Sequence, residues 1–198
     1  MKQSIMPYKE IQLWLNSITD LTTQHLISVQ YATGSRIGEL VEYTHKSKET
    51  TKGLRYERIT EYPEYWQLTF PVFKLRKISY EPCYVSKNEK WLMNILEPLF
   101  TQEEYGQVFP FKESKARKLI KKELNKLSQI INIHDQKSNV INKTFSSHNL
   151  RATRITHLIN PPINMNIIEA QKHVRMKRLD TIREYYNENF EERLDKFK

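Results

Sequence analysis

A mostly helical α+β domain carrying a small three-stranded antiparallel sheet is the fold class this sequence predicts, on three observations. Apolar residues recur at helical spacing through most of the chain, as Ile11, Trp14, Leu15 and Ile18 do near its start. Three consecutive stretches, Tyr56 to Tyr62, Tyr65 to Phe73 and Ile78 to Ser86, are instead rich in β-branched and aromatic residues, which suit a pleated surface. Of 198 residues, 38% are hydrophobic and 11% aromatic, enough for one real core, with no internal repeat and no low-complexity tract to divide it.

Residues 8 to 19 form the first amphipathic helix. Thr22 or Thr23 offers a hydroxyl cap to a second helix carrying Leu26, Ile27, Val29 and Tyr31, and Gly34 is its expected stop. A third helix is expected from Ser35 through about Tyr43. It sets Arg36 at a helix N-terminus, where a cation opposes the macrodipole unless an anion is also there. Glu39, three residues on, offers an ordinary ion pair; the alternative is that Arg36 and the exposed N–H groups bind one negative group together. A polar surface loop, Thr44 to Lys52, leads to the three strands, with Lys74-Leu75-Arg76-Lys77 at the second turn. Three basic residues at a hairpin tip have no core to serve; they are a solvated turn or a finger pointed at phosphate.

Helices follow at 87 to 100 and at about 113 to 131, the second crowded with Lys115, Arg117, Lys118, Lys121 and Lys122. Asp135 to Thr144 is expected to be a loop. Ser146 or Ser147 then caps a helix through Ile159, stopped by Pro161-Pro162. His148 and Arg151, three apart, leave one face of its first turn, and an imidazole with a forked guanidinium at a helix start suits an oxyanion or a phosphate. Asn164 or Asn166 restarts a helix to about Met176, and residues 179 to 197 make the last one.

Composition excludes several kinds of site. The one cysteine, Cys83, permits neither an internal disulfide nor a C-x-x-C zinc site and fits a reducing compartment. The six histidines lack paired metal-ligand spacing, and the four glycines build no nucleotide-cradling loop. No apolar run has the length of a bilayer span, and the first residues do not begin a signal peptide. Thirty-two Lys and Arg against 23 Asp and Glu give +9, which favours an anionic polymer as partner, although a lysine-rich proteome would give the same excess.

Four boxes in order say more. Thr33-Gly34-Ser35-Arg36-Ile37-Gly38-Glu39-Leu40 resembles the T-G-x-R-x-x-E-L box of the tyrosine recombinase (phage integrase) family. His148-Asn149-Leu150-Arg151, with Thr153 and Thr156-His157-Leu158, resembles its H-x-L-R-x-T-x-x-T-x-L box. Gln171-Lys172-His173 stands where the family writes L-G-H, and Thr181 to Tyr185 resembles its terminal T-T-x-x-Y. The resemblance spans about residues 10 to 190. It implies the recombinase catalytic core over 1–198, without the separate N-terminal core-binding domain, since only about thirty residues precede the first box.

The resemblance also implies a chemistry: metal-independent DNA strand transfer through a 3′-phosphotyrosine intermediate, with no nucleotide cofactor. Arg36 and Arg151 would clamp the phosphate, and His148 would accept or donate a proton at the phenol. His173 would bond a phosphate oxygen or buttress the site, Lys74 would protonate the departing 5′ oxygen, Tyr185 would attack, and Glu39 would orient Arg36 or His148. Tyr186 rivals Tyr185, because the interval from His173 to Tyr185 is longer than usual, and Lys77 likewise rivals Lys74. Lys172 replaces the family's glycine, so the local turn must differ. Arg76, Lys115, Arg117, Lys118, Lys121, Lys122 and Arg175 would contact DNA. Partners implied are double-stranded DNA and further copies of the chain, up to a tetramer, in a cytoplasmic, nucleoid-associated setting in a prokaryotic, archaeal or viral host. A type IB topoisomerase or telomere resolvase uses related chemistry, and a degenerate remnant would bind DNA without cutting it.

Overall fold

The computed structural model describes residues 5–45, 48–74, 77–134, 146–176 and 182, with backbone alone at 73, 74 and 127–134. The described elements are α1 (Tyr8–Ser17), α2 (Leu21–Thr33), α3 (Ile37–Leu40), β1 (Tyr43–Thr44), β2 (Thr50–Thr51), β3 (Ile59–Glu61), β4 (Tyr65–Lys74), β5 (Lys77–Ser86), α4 (Lys90–Phe100), α5 (Glu113–His134), α6 (Ser147–Ile159) and α7 (Ile167–His173). The expected loop at 135 to 144 and nearly all of the last helix lie outside the described residues.

The second helix is the hub. Along α2 every residue from His25 to Thr33 is buried, because α1, α4, α5, α6 and β5 surround it. A helix covered on all sides has no solvent face, so its apolar residues follow no single stripe and His25, Ser28, Gln30 and Thr33 are buried among them. The Asp20 carboxylate caps it, accepting from Thr23 N at 2.8 Å, in place of the threonine hydroxyls expected there. An anion at a helix N-terminus also meets the favourable end of the macrodipole, which a hydroxyl does not. At the other end Gly34 turns left-handed, with φ 58 and ψ 26.

The sheet is an antiparallel meander, β3-β4-β5, with Leu68 opposite Cys83 and Trp66 opposite Val85. Alternate side chains (Trp66, Leu68, Phe70 and Val72 from β4, Cys83 and Val85 from β5) face inward onto the helices. The expected loop at 44 to 52 contains a short hairpin, Tyr43 paired with Thr51 and Thr44 with Thr50. Two residues per strand are too few to show an alternation in the sequence.

Most of the core is one cluster spanning α1, α2, α4, α5 and the inner sheet face; a smaller one joins α6 and α7 through Ile155, Leu158, Ile159, Ala170 and Val174. Beside it a buried polar network ties the N-terminal segment to α6. Arg154 grips Glu89 with both ends of its guanidinium, at 2.9 Å through Nη1, and lies over the Tyr31 ring. His157 bridges Tyr31 Oη and Met6 O, each at 2.8 Å.

Candidate active site

The site forms where α2 ends and α6 begins. Past Gly34 the chain runs extended through Arg36 (φ −74, ψ 149) before α3 starts, so Arg36 stands just outside the helix and not in its first turn. Its guanidinium meets Glu39 Oε1 through Nη1 at 3.2 Å, and 61% of the side chain is exposed. The Glu39 carboxylate also accepts from Arg36 N at 3.3 Å, capping α3 from inside.

Across the gap, α6 opens on Ser146, whose N–H and hydroxyl both reach Asn149 Oδ1. Arg151, one turn in, is buried. Its Nη1 donates to Gly34 O and its Nη2 to Val174 O at 2.7 Å. Gln30 Nε2 donates to Ser147 O at 3.1 Å and so fixes the end of α2 to the start of α6. The result is a cavity of about 310 Å³ lined by Arg36, His148, Arg151, Ser147, Gln30 and Ser35, among others.

Local electrostatics favour an anion there. Withdrawal from water lowers the His148 pKa below its ordinary value, and Arg151 and Arg36 lower it further. The imidazole is therefore neutral at pH 7 and able to accept a proton. Burial alone would raise Glu39, but Arg175, Arg151 and Arg36 outweigh it and hold the carboxyl below the usual range.

Residues expected in the site thus divide. Arg36, Glu39, His148 and Arg151 all line one cavity. His173 is buried behind them, its Nε2 at 2.9 Å from Ala32 O and 3.8 Å from Cys83 Sγ. Its imidazole contacts the back of the site and not the cavity. Lys74 ends β4, opposite Lys77 at the start of β5. The Lys74 side chain, Arg76, Thr181, Tyr185 and Tyr186 lie outside what is described. On α5, Lys115, Arg117, Lys118, Lys121 and Lys122 are all exposed. Arg117, ion-paired with Glu113, reaches the rim of the cavity.

Arg175 departs from its expected place on a DNA-facing surface. Only 3% of its side chain is exposed, and it pairs with Glu39 at 2.9 Å. The left-handed backbone at Arg175 (φ 55), just after α7, turns the side chain inward, and a guanidinium buried against a carboxylate has no phosphate to meet. Tyr43, His45 and Glu113 also line the cavity, a role the sequence did not suggest, because they come from the β1 hairpin and the start of α5.

No family model matches the chain, and no curated protein does. Solved structures do. The XerH site-specific recombinase bound to difH substrate in a pre-cleavage complex aligns with a TM-score of 0.56 and 17% identity, over 96% of this chain and 51% of that one. A lambda integrase (75-356) dimer bound to a COC′ core site aligns with a TM-score of 0.60 and 12% identity, over 93% of this chain and 59% of that one. This chain has the fold of those recombinases. The Tn1549 transposon integrase in complex with circular intermediate DNA gives 0.53 and 14%, over 93% and 63% of the two chains. The chain thus spans roughly half to two thirds of the recombinase-fold chains it matches.

Proposed function

We propose that this chain is the catalytic unit of a tyrosine site-specific recombinase or integrase, cutting and rejoining DNA strands through a 3′-phosphotyrosine intermediate. One observation carries the proposal: Arg36, His148 and Arg151, from segments far apart in the chain, line one cavity of about 310 Å³. Two guanidiniums and a neutral imidazole suit a phosphodiester far better than an uncharged ligand. The recombinases and integrases solved with DNA support the same reading through their fold.

The chemistry follows from charge. When a phenol oxygen attacks the phosphorus, negative charge grows on the non-bridging oxygens, and Arg36 and Arg151 stabilise it from two directions. That stabilisation calls on no metal. The phenol has a pKa near 10, so His148 takes its proton as the O–P bond forms. The P–O5′ bond breaks in the same displacement, and the Lys74 ammonium, or that of Lys77, gives its proton to the departing 5′ oxygen. The phosphotyrosine keeps the energy of the broken bond, and the 5′ hydroxyl of the same or another strand reverses the step. Tyr185 is the nucleophile in this reading and Tyr186 its rival. Exchange between two duplexes needs four such phenols, hence four copies of the chain on DNA.

A pool of nicked duplexes, in which the short 5′ fragment diffuses away after cleavage, tests the reaction. The expected result is a covalent protein–DNA band, lost in Tyr185→Phe and kept in Tyr186→Phe. Arg36→Gln and Arg151→Gln should each slow its formation by about a thousandfold, the scale of losing one charge-stabilising donor. Binding without any covalent product, under all substrates and metal conditions tried, would leave a DNA-binding protein and remove the enzyme. Relaxation of supercoils without sequence preference would move the assignment to a type IB topoisomerase.

A further inference from the structure

One heavily bonded arginine beside the cavity is not among the residues that line it. Arg175 Nη2 donates to Glu39 Oε2 at 2.9 Å and to Ser35 Oγ at 2.8 Å, and its Nη1 donates to His173 O at 3.2 Å. Its guanidinium carbon lies 4.7 Å above the Phe70 ring. Glu39 therefore bonds two guanidiniums, with Arg151 nearby as a third cation: its Oε2 accepts from buried Arg175, and its Oε1 meets Arg36 at 3.2 Å.

The division matters because Arg36 has a second use. A carboxylate in a poorly screened interior attracts any nearby guanidinium strongly. With one cation already buried against it, Glu39 holds the Arg36 guanidinium through Oε1 alone and leaves 61% of that side chain exposed. Without that cation more of the negative charge of Glu39 would fall on Arg36, drawing it down and away from a phosphate. The same three-residue loop, His173 to Arg175, also fixes the other guanidinium, since Val174 O accepts from Arg151 Nη2 at 2.7 Å.

We propose that Arg175 is a positioning residue that shares Glu39 with Arg36 and so keeps the Arg36 guanidinium available to a phosphodiester in the cavity. This rests on the strand-transfer reading. Arg175 touches no substrate; it acts through Glu39. Nothing in the local sequence marks it, because the partner it needs is 136 residues earlier.

A double-mutant cycle in the full chain tests it, reading two quantities on the same nicked duplex: the dissociation constant by fluorescence anisotropy and the single-turnover rate of covalent adduct formation. With Glu39 present, Arg175→Met should slow the adduct by about tenfold or more while the dissociation constant stays within about threefold. With Glu39→Gln as background, the same change should cost less than about threefold, because the charge it balances is gone. Arg175→Lys, which keeps a cation opposite Glu39 but gives up the planar fork that also reaches Ser35 and the His173 carbonyl, should recover part of the rate lost in Arg175→Met. An equal loss in both backgrounds, or no loss with Glu39 present, overturns the proposal and makes Arg175 an ordinary buried ion pair. If thermal unfolding shows that Arg175→Met does not fold, Arg175→Gln takes its place in the same cycle, with the same supporting and overturning results. An unsubstituted chain that forms no adduct at all would instead sink the strand-transfer reading, and this proposal with it.

Discussion

His157 shows how much a single side chain can be asked to do away from the cavity. Its Nε2 lies 2.8 Å from Met6 O and its Nδ1 2.8 Å from Tyr31 Oη, an arrangement that suits the neutral ring, donating to the carbonyl and accepting from the phenol. Burial lowers its pKa to about 4, against the pull of the Met6 carbonyl and with help from Arg154. The unfolded chain, with an ordinary value near 6.5, binds the proton more readily. Stability is therefore complete above about pH 6.5 and falls as pH drops toward 4, by about 3 kcal/mol from this group, then levels off. Urea midpoints measured from pH 7 to pH 4 should show that loss, and His157→Gln should remove most of the slope. His25, also held down chiefly by burial, leaves a smaller remainder of the same sign. A slope unchanged by His157→Gln would place the titrating group elsewhere. The neighbouring Arg154–Glu89 pair answers to a different rule: Glu89→Ala strands a guanidinium of which 2% is exposed and should cost about 3–5 kcal/mol in urea unfolding.

At the scale of elements, the end of α2 decides the geometry of the site. Gly34 holds φ 58, and a Cβ there would come within 2.8 Å of Val174 Cγ1. Gly34→Ala should therefore cost about 1–2 kcal/mol by backbone strain alone. Because the strain also pushes on the loop whose carbonyl holds Arg151, adduct formation should slow more than binding weakens. A substituted protein with unchanged stability and rate would show that the loop yields freely. The same junction explains what could be read in advance. The T-G-x-R and H-x-L-R boxes are local patterns at helix boundaries, so the sequence exposes Arg36, His148 and Arg151 directly. The third helix was expected to run to about Tyr43, but Val41 is extended (φ −122, ψ 174) and the chain enters the β1–β2 hairpin instead. Apolar Ile37, Leu40 and Val41 suit a short buried helix and an entering strand equally, and only the tertiary pairing chooses between them. The inward turn of Arg175 was illegible for the same reason: its charge was visible and its partner, across the fold, was not.

For the whole molecule, the formal charge of +9 and the exposed basic residues of α5 would set how the proposed DNA binding responds to salt. If Lys118, Lys121 and Lys122 lie along a DNA backbone, each removed phosphate contact should flatten the plot of log affinity against log salt by about one unit. Lys118→Gln, Lys121→Gln and Lys122→Gln, measured singly and together, check this by titration between low and moderate salt. A slope that survives the triple change would put the DNA on another face.

The claim under all of this is that a tyrosine hydroxyl attacks a phosphodiester held by Arg36 and Arg151. Peptide mapping of the trapped protein–DNA adduct by mass spectrometry measures it most directly. The account predicts a nucleotide remnant on one peptide, attached at Tyr185. A remnant on Ser146 or Ser147, or no covalent peptide from a chain that binds and nicks DNA, would contradict it.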